Sequence, residues 1–235
     1  DGRGISYPTA KKETIFMELR ITDLLDLSHT MAGEYLSGFS YPWEALDGIK
    51  ELIISLGGKL SEEEYDEVSP QVWVHKTATV APTAFLGAPC IIGPETEVRH
   101  CAFIRGSALV GEGCVIGNST ELKNVILFDN VQVPHYNYVG DSILGYKAHM
   151  GAGSITSNVR SDKALVVVHT DPEIPTGRKK VGAMLGDFVE VGCNSVLNPG
   201  TVIGVGSRIY PLSSVRGYIP SHVIVKGDRG MTEYR

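Results

Sequence analysis

Along most of the chain an aliphatic residue returns every six positions, with a small residue four places after it. The first run reads Val74, Val80, Leu86, Ile92, Val98, Ile104, Val110, Ile116 and Leu122, with Ala78, Ala84, Cys90, Thr96, Ala102, Ala108, Cys114 and Thr120 in step. The phase then slips and returns at Leu144-Gly145 and Met150-Gly151. After an interruption it resumes at Leu185-Gly186, Val191-Gly192, Leu197, Ile203-Gly204, Ile209 and Val215. A period of six matches neither the 3.6 of a helix nor the alternation of a hairpin strand. It fits a triangular solenoid in which each hexad makes one flat side and three hexads, about 18 residues, make one coil. The aliphatic residue fills the interior and the small one fits the corner. The predicted fold is all-β, a parallel β-helix.

Two stretches break the period. Residues 17–57 are expected to be helical: Leu46, Ile49, Ile53 and Leu56 share a face, Pro42 suits a first turn, and Gly57-Gly58 suits a stop. Residues 59–69, with Glu62, Glu63, Glu64, Asp66 and Glu67, read as a solvated linker. The chain therefore divides into a tail or extension at 1–16, a helical cap and acidic linker at 17–70 shielding the first coil, and the β-helix at 71–235. Residues 157–184 interrupt the helix and carry Val166-Val167-Val168 and the basic triplet Arg178-Lys179-Lys180. A loop thrown out from one corner is expected there, and loops of that length are uncommon unless functional.

Composition narrows the function. A formal charge of −6 argues against a nucleic-acid surface. No apolar run approaches the ~20 residues that span a bilayer, and no signal peptide is visible. Cys90, Cys101, Cys114 and Cys193 form no C-x-x-C pair, so neither a zinc site nor a redox pair is expected. Reduced thiols and a cytoplasmic setting are the simplest reading.

Polar residues crowd 118–158, where a solenoid needs none of them to fold: Asn-Ser-Thr-Glu-Leu-Lys-Asn, then Pro-His-Tyr-Asn-Tyr-Val-Gly-Asp, then Gly-Ala-Gly-Ser-Ile-Thr-Ser-Asn. His135, Tyr136 and Tyr138 fall where the phase slips, and local rules tend to fail at functional sites. The run His135-Tyr136-Asn137-Tyr138-Val139-Gly140-Asp141, followed by Gly151-Ala152-Gly153-Ser154-Ile155-Thr156 and Asn158, resembles the acetyltransferase half of the bifunctional N-acetylglucosamine-1-phosphate uridylyltransferase/glucosamine-1-phosphate acetyltransferases. It is closer still to stand-alone proteins related to UDP-N-acetylglucosamine pyrophosphorylase. The resemblance covers about residues 98–216, and no nucleotide-binding uridylyltransferase segment accompanies it.

That resemblance implies a left-handed winding, an acetyl-CoA cosubstrate, no metal, and a homotrimer with sites between subunits. It gives His135 the place of the general base, which an ammonium acceptor requires before it can attack a thioester. Glu121 takes a place beside that imidazole. Arg105 and Lys123 match the residues that hold a sugar phosphate, and Tyr138 matches a substrate contact. Ala152 matches a backbone N–H on the acetyl carbonyl, and Asn158 a residue reaching in from the adjacent subunit. His149 stands where the family has a sugar-binding asparagine, and Cys193 where it has a serine near acetyl-CoA. A second phosphate lysine falls on Lys180 or Lys163, depending on which side of the insert is counted. The implied activity is acetyl transfer from acetyl-CoA to the amine of an amino-sugar phosphate such as glucosamine-1-phosphate. Open beside it stand a different sugar or nucleotide-sugar acyltransferase, a non-catalytic sugar-phosphate-binding solenoid, and a zinc enzyme of the γ-carbonic anhydrase type. The last needs three converging histidines, and His135 and His149 already match other roles.

Overall fold

The computed structural model describes residues 18–227 and 230–233. From residue 72 onward short strands stack in parallel register into a β-solenoid of about nine turns. The hexad decides which side chains point in. Ile92, Val98, Ile104, Val110, Ile116 and Leu122 are buried, and so are the small corner residues Cys90, Thr96, Ala102, Ala108, Cys114 and Thr120. The threonines satisfy their hydroxyls on the next coil: Thr96 donates to the Gly111 carbonyl at 2.8 Å and Thr120 to that of Val133 at 2.9 Å.

Three faces result. Face A stacks Val72–His75, Cys90–Ile92, Ala108–Val110, residues 125–127 and 142–144, Ala183–Leu185, Thr201–Ile203 and Tyr218–Ile219. Face B stacks Thr79–Val80, Glu97–Val98, Val115–Asn118, Gln132–His135, His149–Met150, Glu190–Val191, Arg208–Ile209 and Val223–Val225. Face C stacks Phe85–Leu86, Phe103–Ile104, residues 121–123 and 138–140, Ile155–Thr156, Val196–Leu197 and Ser214–Val215.

The register locates the slip in the hexad phase. Ile104 pairs with Leu122, eighteen residues on, but Leu122 pairs with Val139 and Ile126 with Ile143, seventeen on. Two successive coils are thus one residue short, and both lose it where face C turns into face A, at Lys123-Asn124 and at Gly140-Asp141. The slip lies at this C/A edge, not at His135-Tyr138, where the sequence placed it. The insert leaves and re-enters at the same edge, because Val181 donates its N–H to the Asn158 carbonyl at 3.0 Å.

Three sequence expectations change shape. Residues 18–57 form short helices (Ile21–Leu24, Gly33–Leu36, Ile49–Gly57) joined by 3₁₀ turns at Leu27–His29 and Pro42–Gly48. Pro42 opens its 3₁₀ turn, and the Glu44 carboxylate accepts from the Ser40 and Tyr41 N–H groups. The segment does not sit over the first coil as a lid. It runs the length of face A as a strap. The Tyr218 hydroxyl bonds Glu18, Asp187 N–H reaches the Leu24 carbonyl, Asp129 N–H that of His29, and Gly57 lies against the Trp73 ring. Leu19, Ile21, Leu24, Leu36, Trp43, Leu46, Ile49 and Ile53 are fully buried against the face. Each such side chain contributes about 1.5–3 kcal/mol, which is why an apolar helical face was needed.

The first coil is closed instead by the acidic stretch. Tyr65–Ser69 is a strand, antiparallel to Val72–His75, with its carboxylates in solvent. The insert, finally, is not thrown outward. Val167–Val168 and Ile174–Pro175 form a small hairpin that packs back along the C/A edge with Val166 and Val168 buried, Val166 and Val167 lying against Gly200 and His169 against Gly217. The expected tail at 1–16 lies outside the described residues.

Candidate active site

The polar stretch is placed by the edges of the solenoid. At the B/C edge His135 ends a strand paired with Asn118. The next coils stack on it in order: Gly153 N–H donates to the His135 carbonyl at 3.0 Å, Asn194 N–H to that of Ala152 at 2.8 Å, and Leu212 N–H to that of Cys193 at 2.9 Å. His135, Ala152 and Cys193 therefore form a column along one edge. Gly153 takes φ +71° with the Asn194 side chain packed where a Cβ would stand, and Tyr136, Asn194 and Leu212 repeat the left-handed turn in the neighbouring coils. Beneath the edge, buried Asn137 accepts from the His135 N–H at 3.1 Å and donates to the Gly151 and Ser154 carbonyls at 2.9 and 3.0 Å. It locks the strand end from inside, a role the hexad pattern disguised because Asn137 occupies a small-residue position.

The His135 imidazole is exposed, and among the described residues no group hydrogen-bonds it. The Ala152 N–H is likewise without an acceptor among the described residues. Glu121, expected beside the imidazole, instead binds Arg105 Nη1 at 2.8 Å. That pairing raises the Arg105 pKa further above its ordinary value.

Across face C a second group gathers. Lys123 Nζ lies 3.1 and 3.3 Å from the two oxygens of Asp141. Asn158 Nδ2 donates to Asp141 at 2.5 Å and to the Tyr138 hydroxyl at 3.2 Å. Burial, with Asp141 and Glu121 close by, pushes the Tyr138 hydroxyl above its ordinary pKa, so it stays protonated at neutral pH. Tyr138 pairs with Glu121 in register and lies three residues from His135, at most about 11 Å by chain reach. Arg105, Glu121, Lys123, Tyr138 and Asn158 thus share one surface, bordered on one side by the His135 column. Lys180 adjoins Asn158 through the Val181 bond, whereas Lys163 sits in the turn closed by its own N–H on the Arg160 carbonyl. Asn158 makes these bonds within its own chain, although the resemblance assigns it to a neighbouring site.

His149 is elsewhere. It sits on face B between Gln132 and Glu190 in register, with Nδ1 2.8 Å from Glu190 Oε2. A shallow depression of about 300 Å³ there is lined by Asn130, Gln132, Lys147, His149 and Glu190. Among the described residues no group of three or more His, Cys, Asp or Glu converges to hold a metal, and no helix is long and apolar enough to cross a membrane. Cys90 and Cys114 are buried thiols pushed up to about 12, while Cys101 and Cys193 are exposed.

Comparison with known proteins places this arrangement. Residues 88–203 match the family described as the GMPPB C-terminal domain. A bifunctional protein GlmU of Methanococcus maripaludis is 31% identical over 74% of this chain and 43% of its own length. A bifunctional sugar-1-phosphate nucleotidylyltransferase/acetyltransferase of Sulfurisphaera tokodaii is 38% identical over 38% of this chain and 22% of its own. The solenoid is homologous to the C-terminal region of these bifunctional enzymes. It spans less than half the length of either of these two relatives. A hexapeptide transferase family protein from Anaplasma phagocytophilum is 20% identical over 64% of this chain and 70% of that one, at a TM-score of 0.37; at that likeness nothing about function follows.

Proposed function

We propose that the protein transfers the acetyl group of acetyl-CoA to the amine of an amino-sugar phosphate such as glucosamine-1-phosphate. The observation that carries this reading is the composition of face C. Two cations one coil apart, Arg105 and Lys123, share a surface with Tyr138, and an exposed imidazole borders it. Arg105 and Lys123 hold the phosphate by charge-assisted hydrogen bonds. His135 takes the proton from the acceptor ammonium as the nitrogen attacks the thioester carbonyl, and the free Ala152 N–H receives the charge that develops on its oxygen. The C–S bond then breaks as the amide forms, and the sulfur takes the second proton that the nitrogen gives up, so coenzyme A leaves as the thiol.

The assembly is a homotrimer in this reading. Face A is occupied by the strap, which leaves faces B and C for contact between copies. A face-B-to-face-C contact is heterologous, and a rotation of 120° between copies closes it into a ring of three. It would bring the face B of one copy, with its His149, against the face C of another, which suits the sugar contact that His149 inherits. Exposed Phe85 and Phe103, ring centres 5.6 Å apart on face C, supply apolar area. Four unpaired cysteines suit a cytoplasmic setting.

The engagement of Glu121 with Arg105 favours one second reading, a solenoid that binds the sugar phosphate without turning it over, since it leaves the imidazole without an orienting acid. Thiol release from acetyl-CoA with glucosamine-1-phosphate as acceptor separates the two. Release that depends on the acceptor is expected. Binding of the sugar phosphate with no release at any pH between 6 and 9 would replace catalysis by the second reading.

A further inference from the structure

We infer that Asp141 is the positioning residue of the phosphate subsite: it holds Lys123 and Asn158 in place from beneath. The inference rests on the proposed sugar-phosphate reading of face C. Asp141 is 4% exposed, yet it carries a carboxylate. A buried charge is tolerated only where its lone pairs are filled, and here the donors come from the two coils on either side of Asp141. Lys123 Nζ and Asn124 Nδ2, at 3.1 and 3.0 Å on Oδ1, come from the coil before; Asn158 Nδ2, at 2.5 Å on Oδ2, comes from the coil after.

The geometry depends on the shortened corner. In the preceding coil the C/A edge turns through Gly106-Ser107, with a full eighteen residues from Cys90–Ile92 to Ala108–Val110. Dropping one residue at Lys123-Asn124 and one at Gly140-Asp141 pairs Lys123 with Gly140 and sets the Asp141 side chain inside the edge, between Lys123 and Asn158. Lys123 keeps 28% of its side chain exposed, so its ammonium is tethered on one side and open to a ligand on the other. A lysine held this way surrenders little rotamer freedom when phosphate arrives. Asp141 touches no ligand in this scheme; it acts through Lys123.

The test is calorimetric titration of glucosamine-1-phosphate into the wild-type protein, Lys123→Ala, Asp141→Asn and the double variant. Asp141 has φ +48°, a conformation that asparagine adopts readily, so the substitution leaves the backbone in place. Each single variant is expected to bind about ten- to a hundred-fold more weakly. The double variant is expected to bind no worse than Lys123→Ala alone, because the two residues act as one. In steady state the KM for the sugar phosphate should rise while the KM for acetyl-CoA and kcat hold. A purely structural Asp141 would lower the melting temperature and multiply with Lys123→Ala, and that result overturns the inference, as does Asp141→Asn binding like wild type. If Asp141→Asn does not fold, Asn124→Gly removes one donor at a φ of +55° that glycine accepts. A few-fold loss of sugar-phosphate affinity is then expected, and no change overturns the inference. Wild-type protein that binds no glucosamine-1-phosphate removes the functional reading itself, and this inference with it.

Discussion

In the proposed reaction, the residue on which turnover depends most is His135. General-base catalysis typically contributes ~10²–10⁴-fold, so His135→Ala should lower kcat by about that factor while the circular dichroism spectrum and acetyl-CoA affinity stay as they are. Full turnover in that variant, with loss in His149→Ala, would move the base to face B. Cysteine reactivity offers a second probe. Burial raises the Cys90 and Cys114 thiols to about 12, so an aromatic disulfide reagent should label Cys101 and Cys193 in the native protein and all four only on unfolding. If Cys193 lies along the acetyl-CoA path, saturating acetyl-CoA should slow its labelling and leave Cys101 unaffected; equal rates would remove it from that path. The sequence singled out His135, Arg105, Lys123 and Tyr138 as candidates because chemistry-bearing side chains stood where the hexad asked for none. It concealed Asn137 and Asp141. Asn137 fills a corner slot that small polar residues also fill, and Asp141 acquires its meaning only when coils seventeen residues apart are stacked.

Among the elements the strap is held to the solenoid by a buried apolar side. Trp43 is 2% exposed, and truncating a buried aromatic to alanine costs about 3–5 kcal/mol. Trp43→Ala should therefore lower the denaturation midpoint strongly. Arg178→Ala, which removes an ion pair with exposed Asp47 and a bond to the Glu44 carbonyl, should shift it by less than ~1 kcal/mol. Equal effects would mean that the strap is held by its polar latch and not by its apolar side. Asp187 ties strap to solenoid by accepting from Asp26 and Tyr146 N–H at 2.8 and 2.7 Å, and burial raises its carboxyl above the ordinary value. The native state then keeps this proton to a higher pH than the unfolded chain. The Asp187 contribution to stability is greatest in acid and declines as pH rises from about 4 through the raised value. Wild type measured against Asp187→Asn by urea unfolding should show a margin that shrinks with pH across that window; a growing margin would contradict the sign. The 3.6 periodicity announced helices in this region but not their resting place, because an apolar stripe states that a surface will be covered and not which one.

At the scale of the molecule the hexad period specified nearly everything: number of faces, coil length, inward residues. What it left open were departures from the period, and these gather at the C/A edge. Phe103, 42% exposed on face C, tests the assembly. Phe103→Glu should convert a trimer to monomers by light scattering with its secondary structure intact, and a wild-type monomer at micromolar concentration would remove the shared-site arrangement. One further property follows from the two ends. A stack of parallel strands has no inherent length; any copy could seat its first coil on another's last and continue the ladder as a fibre. Here Tyr65–Ser69 turns back antiparallel at one end, presenting Asp66 and Glu67, and Met231–Glu233 turns back antiparallel at the other. A strand of reversed direction interrupts the parallel ladder there, and its charges repel a like edge. Finite length in this protein is thus written into two short reversals, and erasing the first of them, charges included, is a route from a closed particle to a filament.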